Sequence, residues 1–321
     1  MDIFLQQMVN GLTLGSVYAI VALGYTMVYG IVQLINFAHG EVVMIGAMVA
    51  LSVIGALAGA HSGLPVAVIV LAGIVCAVIV CMAVGYTMER VAYRPLRGAP
   101  RLAPLITAIG ISIILQHIAL LIWSRNPLAF PQIVRNPVFN VAGATISAVQ
   151  IVIIVVSIAM MAGLTALVYR TRLGVAMRAT SENATVAGLM GVNINRVNAF
   201  TFVIGAALAA VAGVMVGTYY GIAHYTMGAL LGLKAFSAAV LGGIGNLAGA
   251  MLGGVLLGLV EALGAGYIGY LTDLCHVSWI SDALAARCAV DHHVVLFGSN
   301  YQDVFAFLVL IAVLKIGRAH V

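Results

Sequence analysis

The sequence predicts an all-α, polytopic bundle of transmembrane helices, about eight or nine spans, some of them broken or re-entrant. Composition and charge spacing lead there. Of 321 residues, 64% are hydrophobic and 7% charged, against about 25% charged in soluble domains. A mean hydropathy of +1.17 leaves too little polar surface for water to be the main solvent. No Asp, Glu, Lys or Arg occurs in Ile3–Gly40, Val42–Met88, Leu102–Ser124, Asn136–Tyr169, Val197–Leu233 or Ala235–Val260. A spanning helix needs about 20 apolar residues, so each stretch can hold at least one. The alternating pattern of barrel strands is absent. Helices are then the remaining way to satisfy backbone hydrogen bonds in lipid.

In chain order the expected spans are Met8–Val32, Val42–Ala60, Leu64–Tyr86, Pro104–Trp123, Val149–Tyr169, Val197–Tyr220, Ala235–Gly245, Leu247–Ile268 and Val304–Ile316. The seventh is short enough to be re-entrant. The start, MDIFLQQ, lacks a basic n-region, so the first span is expected to be retained rather than cleaved. Eight of the twelve arginines fall in two segments, Thr87–Ala103 and Arg170–Arg196. Short arginine-rich loops stay cytoplasmic, and the two spans between them place both on one side. Ser124–Ala148 and Leu271–Gln302 then lie outside, with the N-terminus. Repeated GxxxG spacings, such as Gly11/Gly15, Gly213/Gly217 and Gly254/Gly258, point to close helix packing.

Ionisable groups within apolar runs are the first functional candidates. Leu34–Glu41 interrupts two runs and places Asn36, His39, Gly40 and Glu41 together. It reads as a broken helix presenting backbone toward a pathway, or as a plain turn with solvated side chains. Leu241–Gly249 is a second interruption, with Gly245 and Asn246. Asn36 and Asn246 are candidate equivalents in an internal parallel repeat. Glu261 lies within an apolar run, as do Gln116 and His117. For Gln116 and His117, interhelical hydrogen bonding is the plainer role.

Gly174–Val197 is too polar to span. Ser181 is expected to cap a short helix starting near Glu182. Ala184, Ala187, Gly188 and Gly191 would give it a small-residue face suited to a groove of a partner protein. Neither lysine, Lys234 nor Lys315, follows a glycine, so the chain holds no GxxxxGK[ST] phosphate loop. HExxH and GxSxG are absent too. Cys76 and Cys81 read as small hydrophobes. Cys275 and Cys288 could pair as a disulfide in an oxidising compartment, or join nearby histidines at a metal, but the spacing matches no zinc pattern. No cofactor, metal or nucleic acid is expected.

The residues resemble a known family, the permeases of bacterial ABC importers for branched-chain amino acids, and within it the H-type subunits of Liv systems. The resemblance rests on FLQQMVNGLTLGSVYAIVALGYTMVYGIVQLINFAHGEVVMIGA, on LITAIGISIIL at Leu105–Leu115, on Gly174–Val197 and on LGGIGNLAGAMLGG from Leu241. It covers Met1–Leu271 and Gly298–Leu314. It implies a non-enzymatic inner-membrane subunit that works with a sister permease, two cytoplasmic ATPases and a periplasmic amino-acid-binding protein. It also implies an EAA-like coupling motif, matched by Glu182, Ala184 and Gly188, with Asn183 departing from it. Arg178 and Gly191 flank that motif. Residues 1–316 are then one transmembrane domain, with a coupling segment at 170–196 and an outer loop or insertion at 271–302. Thr272–Phe297 is longer and richer in Cys and His than the family pattern. The ending Lys315–Val321 coincides with one reading frame of a sequencing adapter, so residues 315–321 are expected to be artefactual.

On this reading Asn36, His39, Gly40, Glu41, Gln116, Gly245, Asn246 and Glu261 line the translocation pathway. Three alternatives stay open: a related permease for urea or short amides, a secondary transporter with proton coupling through Glu41 and Glu261, and a membrane enzyme using His39 and Glu41.

Overall fold

The computed structural model describes residues 2–60, 63–100, 102–132, 136–141, 143–271, 303–308, 311 and 315. Seven helices are long and apolar enough to cross a membrane among these residues. They are α1 (Asp2–Val32), α2 (His39–Gly59), α3 (Val66–Thr87), α4 (Leu102–Trp123), α5 (Ala148–Arg170), α8 (Ile194–Tyr220) and α10 (Leu247–Leu271). Two short helices, α6 (Arg172–Glu182) and α7 (Ala184–Leu189), connect α5 to α8. Helix α9 (Met227–Leu241) is apolar but has only 15 residues. Of the expected ninth span, Val304–Ile316, residues 304–308, 311 and 315 are described, and they are helical; the whole of Thr272–Phe297 lies outside the described residues.

Helices α1, α2 and α8 are the buried centre, and α3, α4 and α5 present large apolar side chains outward. Leu71, Ile79, Ile106, Leu121 and Val155 are all exposed on those outer helices. In lipid that pattern is stable, because the solvent itself is apolar. Close approach at the centre comes from missing side chains. Gly15 lies against the Val255 backbone and Gly11 against Leu259, so α1 and α10 run antiparallel. Gly46 meets Ala210, and Gly213 meets Val43, which joins α2 to α8. The pairs Gly11/Gly15 and Gly254/Gly258 therefore serve one helix–helix seam inside the chain.

At one end, β1 (Leu128–Ala129) pairs antiparallel with β4 (Ile222–Ala223), and β2 (Val138–Val141) with β3 (Ala144–Ser147). Gln6 joins the same end by hydrogen bonds to Thr145. At the other end the two arginine-rich segments meet, where Arg97 donates to Asn195 at 2.5 Å. This grouping of ends follows from chain alternation through the bundle.

Three expected boundaries shift, each for a physical reason. The third span does not stop at Tyr86. It continues as a π-helical turn, Met88–Tyr93, and a 3-10 turn, Arg94–Leu96. Glu89 is buried there in an ion pair with Arg97, so its charge does not end the helix. Helix α2 starts at His39 rather than Val42, taking His39, Gly40 and Glu41 out of the connection. Helix α9 runs Met227–Leu241 instead of Ala235–Gly245. Lys234 lies inside it, because its charge is paired. The helix ends at Gly242, and Gly243 and Gly245 adopt positive φ of 86° and 97°, a region glycine enters at little cost.

Candidate functional site

The break between α1 and α2 is a buried polar knot, not a solvated turn. Asn36, His39 and Glu41 are 4%, 2% and 0% exposed. The Asn36 side-chain oxygen accepts from the Ala38 amide at 3.1 Å and from the Tyr93 hydroxyl at 2.8 Å. It thus shapes the turn into α2 and ties it to the π-helical segment. Glu41 reaches across to α4, where its Oε1 accepts from Gln116 at 2.7 Å and from Ser112 at 3.2 Å. Gln116 therefore makes the interhelical bond expected of it. His117 does not: it is exposed, and its ring bonds the Ile113 carbonyl of its own helix at 2.8 Å.

His39 packs edge-on against Tyr25, with ring centroids 4.8 Å apart, and lies on Gly24 of α1. Gly40 sits against Gly228 and Gly232 of α9. Four helices thus converge on the first turn of α2, and no side chain larger than hydrogen fits at Gly40. Asn36, His39, Gly40, Glu41 and Gln116 come together at this point.

Glu261 belongs to a different cluster. Its Oε1 accepts from Lys234 Nζ at 2.7 Å. Lys234 also lies 2.5 Å from Asp303 and 3.4 Å from the Tyr18 hydroxyl. Sequence reasoning passed over Lys234, although a lysine between two long charge-free runs was the available signal. By sequence Lys234 reads as a span boundary, whereas an intramembrane cation calls for a named anion. Asp303 had no such signal, since 42 residues separate it from Glu261. Helix α9 links the two clusters, with Gly228 and Gly232 toward α2 and Lys234 toward α1 and α10.

Gly245 and Asn246 stand apart from both. Gly245 faces Gly30 near the end of α1. Asn246 is exposed and caps α10, its Oδ1 accepting from the Gly249 amide at 3.2 Å. Asn36 and Asn246 share the habit of bonding an amide at the start of a helix, yet one is buried and the other is not.

The connecting segment forms two helices rather than one. Ser181 does not cap: its hydroxyl donates to the Arg178 carbonyl at 2.8 Å, within α6. Glu182 ends α6, and Asn183 caps α7 by accepting from the Val186 amide at 3.0 Å. Asn outranks Ser here because it sits at the residue whose backbone is extended, with φ −155° and ψ 101°. The small-residue face divides. Ala187 is buried, while Glu182, Ala184, Gly188 and Gly191 are exposed, and a Cβ on Gly188 would meet Ile194. Leu189 and Met190, each 82% exposed, project from the end of α7. Arg178 lies 5.3 Å from the Tyr169 ring centre, a cation–π distance. Close by, partial burial pulls the Arg97 guanidinium below its usual range, and the Glu89 carboxylate opposes that shift.

The family described as the permease component of branched-chain amino acid transport systems matches residues 7–314. The high-affinity branched-chain amino acid transport system permease protein BraD of Pseudomonas aeruginosa is 48% identical over 97% of this chain and 93% of its own length. Its counterpart LivH of Escherichia coli is 44% identical over 83% of this chain and 87% of its own. A probable LivH permease of Methanocaldococcus jannaschii is 28% identical over 60% of each. No solved structure matches. A bundle of membrane-length helices whose residues 7–314 match this family, and which is 48% identical to BraD over 97% of its length, belongs to the branched-chain amino acid transport permease family.

Proposed function

We propose that this chain is the inner-membrane permease subunit of an ABC importer that moves leucine, isoleucine and valine into the cell. The observation that carries this is the 48% identity to a branched-chain amino acid permease over 97% of the chain. The chain performs no chemistry itself. Two ATPase subunits would supply the energy, a sister permease would complete the pathway, and a periplasmic binding protein would deliver cargo. Residues 1–316 act as one transmembrane domain in this scheme.

The pathway runs past the two polar clusters, with Asn36, His39, Gly40, Glu41 and Gln116 framing one and Glu261 the other. Gly245 and Asn246 lie where α9 turns into α10. Asn36 and the Oε1 of Glu41 in the α2 knot already hold hydrogen bonds and are sealed from water, so the knot braces the pathway from behind. An ATPase can shift the pathway's state only by binding its two states unequally. The segment that meets it is α6–α7, with Arg178, Glu182, Ala184, Gly188 and Gly191 around it. Leu189 and Met190 supply the apolar contact, since exposed large side chains facing water mark an interface.

Replacing both Leu189 and Met190 with Glu tests this. The variant is expected to insert in the membrane at normal levels, to lose co-purifying ATPase, and to lose ATP-driven leucine uptake by at least about tenfold. Normal uptake would place the docking surface elsewhere.

A further inference from the structure

We propose that Lys234 and Asp303 form a binding point for the zwitterionic head of an α-amino acid, with the wall of α9 receiving its aliphatic side chain. This rests on the amino-acid import reading above and names the groups that would hold the cargo.

Lys234 is 5% exposed and embedded in an apolar helix. A buried ammonium needs one anion to balance it, because an isolated charge in lipid is costly. Glu261 meets that need at 2.7 Å and is itself fully buried. Asp303 is a second carboxylate on the same cation, 2.5 Å away and one-third exposed. Among the described residues it is surplus to neutralisation, and it lines open space. A buried ion pair is weak grounds for stability in any case, so a triad with one anion too many calls for another explanation.

The open space is a cavity of about 350 Å³, within the range of small-molecule sites. Its lining combines polar side chains, Tyr18, Tyr220, His224, Thr226, Lys234 and Asp303, with apolar ones, Val216, Ile222, Met227, Leu230 and Leu231. An aliphatic α-amino acid has that same division. Its carboxylate would take Lys234, its ammonium would take Asp303, and Glu261 would keep Lys234 oriented from behind. One ion pair between protein groups is exchanged for two with the ligand, so no charge loses its partner. The branched side chain would lie on Leu230 and Leu231.

The test uses the complete importer, with ATPases and binding protein, in proteoliposomes. Lys234→Met and Asp303→Asn are each expected to lower leucine uptake by about 30-fold or more, the lower bound for truncating one member of a buried charge pair. Lys234→Arg is expected to retain uptake. The exchange variant Lys234→Glu with Glu261→Lys keeps opposite charges between α9 and α10, and is expected to transport as poorly as Lys234→Met. Leucine binding to the permease–ATPase assembly without binding protein should be lost in Lys234→Met, and wild type should reject leucinamide, which lacks the carboxylate.

Near-normal uptake by the exchange variant would mean that the pair only ties helices together, and would overturn the inference. Normal uptake by Asp303→Asn would do the same, and that variant decides the matter if Lys234→Met fails to assemble. A wild-type complex that does not transport leucine would overturn the functional reading, and this site with it. A wild type that transports leucine while the Lys234 and Asp303 variants transport normally would overturn this site alone.

Discussion

Glu41, Glu89 and Glu261 are buried, and their neighbours differ: Glu89 pairs with Arg97 at one end of the bundle. Glu41 is met by neutral donors, Gln116 and Ser112. Glu261 is met by the cation of Lys234. Removing a donor from a buried carboxylate exposes its desolvation cost, because no water can replace the lost bond. Gln116→Leu should therefore destabilise the solubilised protein by about 1.5–3 kcal/mol, the range for a hydrogen bond to a charged group. Glu41→Gln should be milder, since an amide can still bond Ser112 and Gln116. Thermal unfolding of the detergent-solubilised variants checks the order. Equal stability of Gln116→Leu and wild type would mean that Glu41 is not held as described. Much of this was legible in the sequence: Asn36, Glu41, Gln116 and Glu261 stood out as polar groups in apolar runs. Their partners Tyr93, Lys234 and Asp303 did not, because they come from distant elements and only the fold brings them near.

At the scale of elements, glycine sets how closely helices approach. A Cβ on Gly46 would lie 2.6 Å from the Ala210 Cα, closer than real contacts allow. Gly110, on outward-facing α4, has no atom within 4 Å of that position. Gly46→Ala should cost about 1–3 kcal/mol through overpacking. Gly110→Ala should be neutral or gain about 0.4–1 kcal/mol by restricting the unfolded chain. The same thermal measurement separates them, and equal effects would contradict the packing of α2 on α8. Sequence spacing announced tight packing but not which glycines were used, because a GxxxG count is blind to partners. The limits of two helices differ from the sequence reading for a related reason. Lys234 and Glu89 read as ends of spans, yet each is neutralised by a neighbour, and a neutralised charge no longer stops a helix. In the α6–α7 segment, the Asn183 cap replaced the expected Ser181 cap because backbone conformation, not residue type alone, decides which oxygen can reach an amide.

For the whole molecule, a densely packed centre meets one short helix and one arginine-rich end. Helices α1, α2 and α8 share a dense apolar core, whereas α9 is short, bounded by glycine breaks, and touches both polar clusters. Helix α9 carries Lys234 and packs closely on α2 through Gly228 and Gly232. At one end of the bundle the arginine-rich segments and α6–α7 form the surface that a cytoplasmic ATPase would meet. The family and its helical architecture were readable from composition and motif order. The extent of α9 was not, because its charge lay at the helix centre.

The central claim is that import through this chain is driven by ATP in partner subunits. Its most direct test is leucine uptake into vesicles containing this chain with its neighbouring transport genes, with ATP supplied or withheld and with or without a protonophore. Uptake is expected to require ATP and to survive the protonophore. Uptake indifferent to ATP and abolished by the protonophore would contradict it, and would move the energy coupling to Glu41 and Glu261.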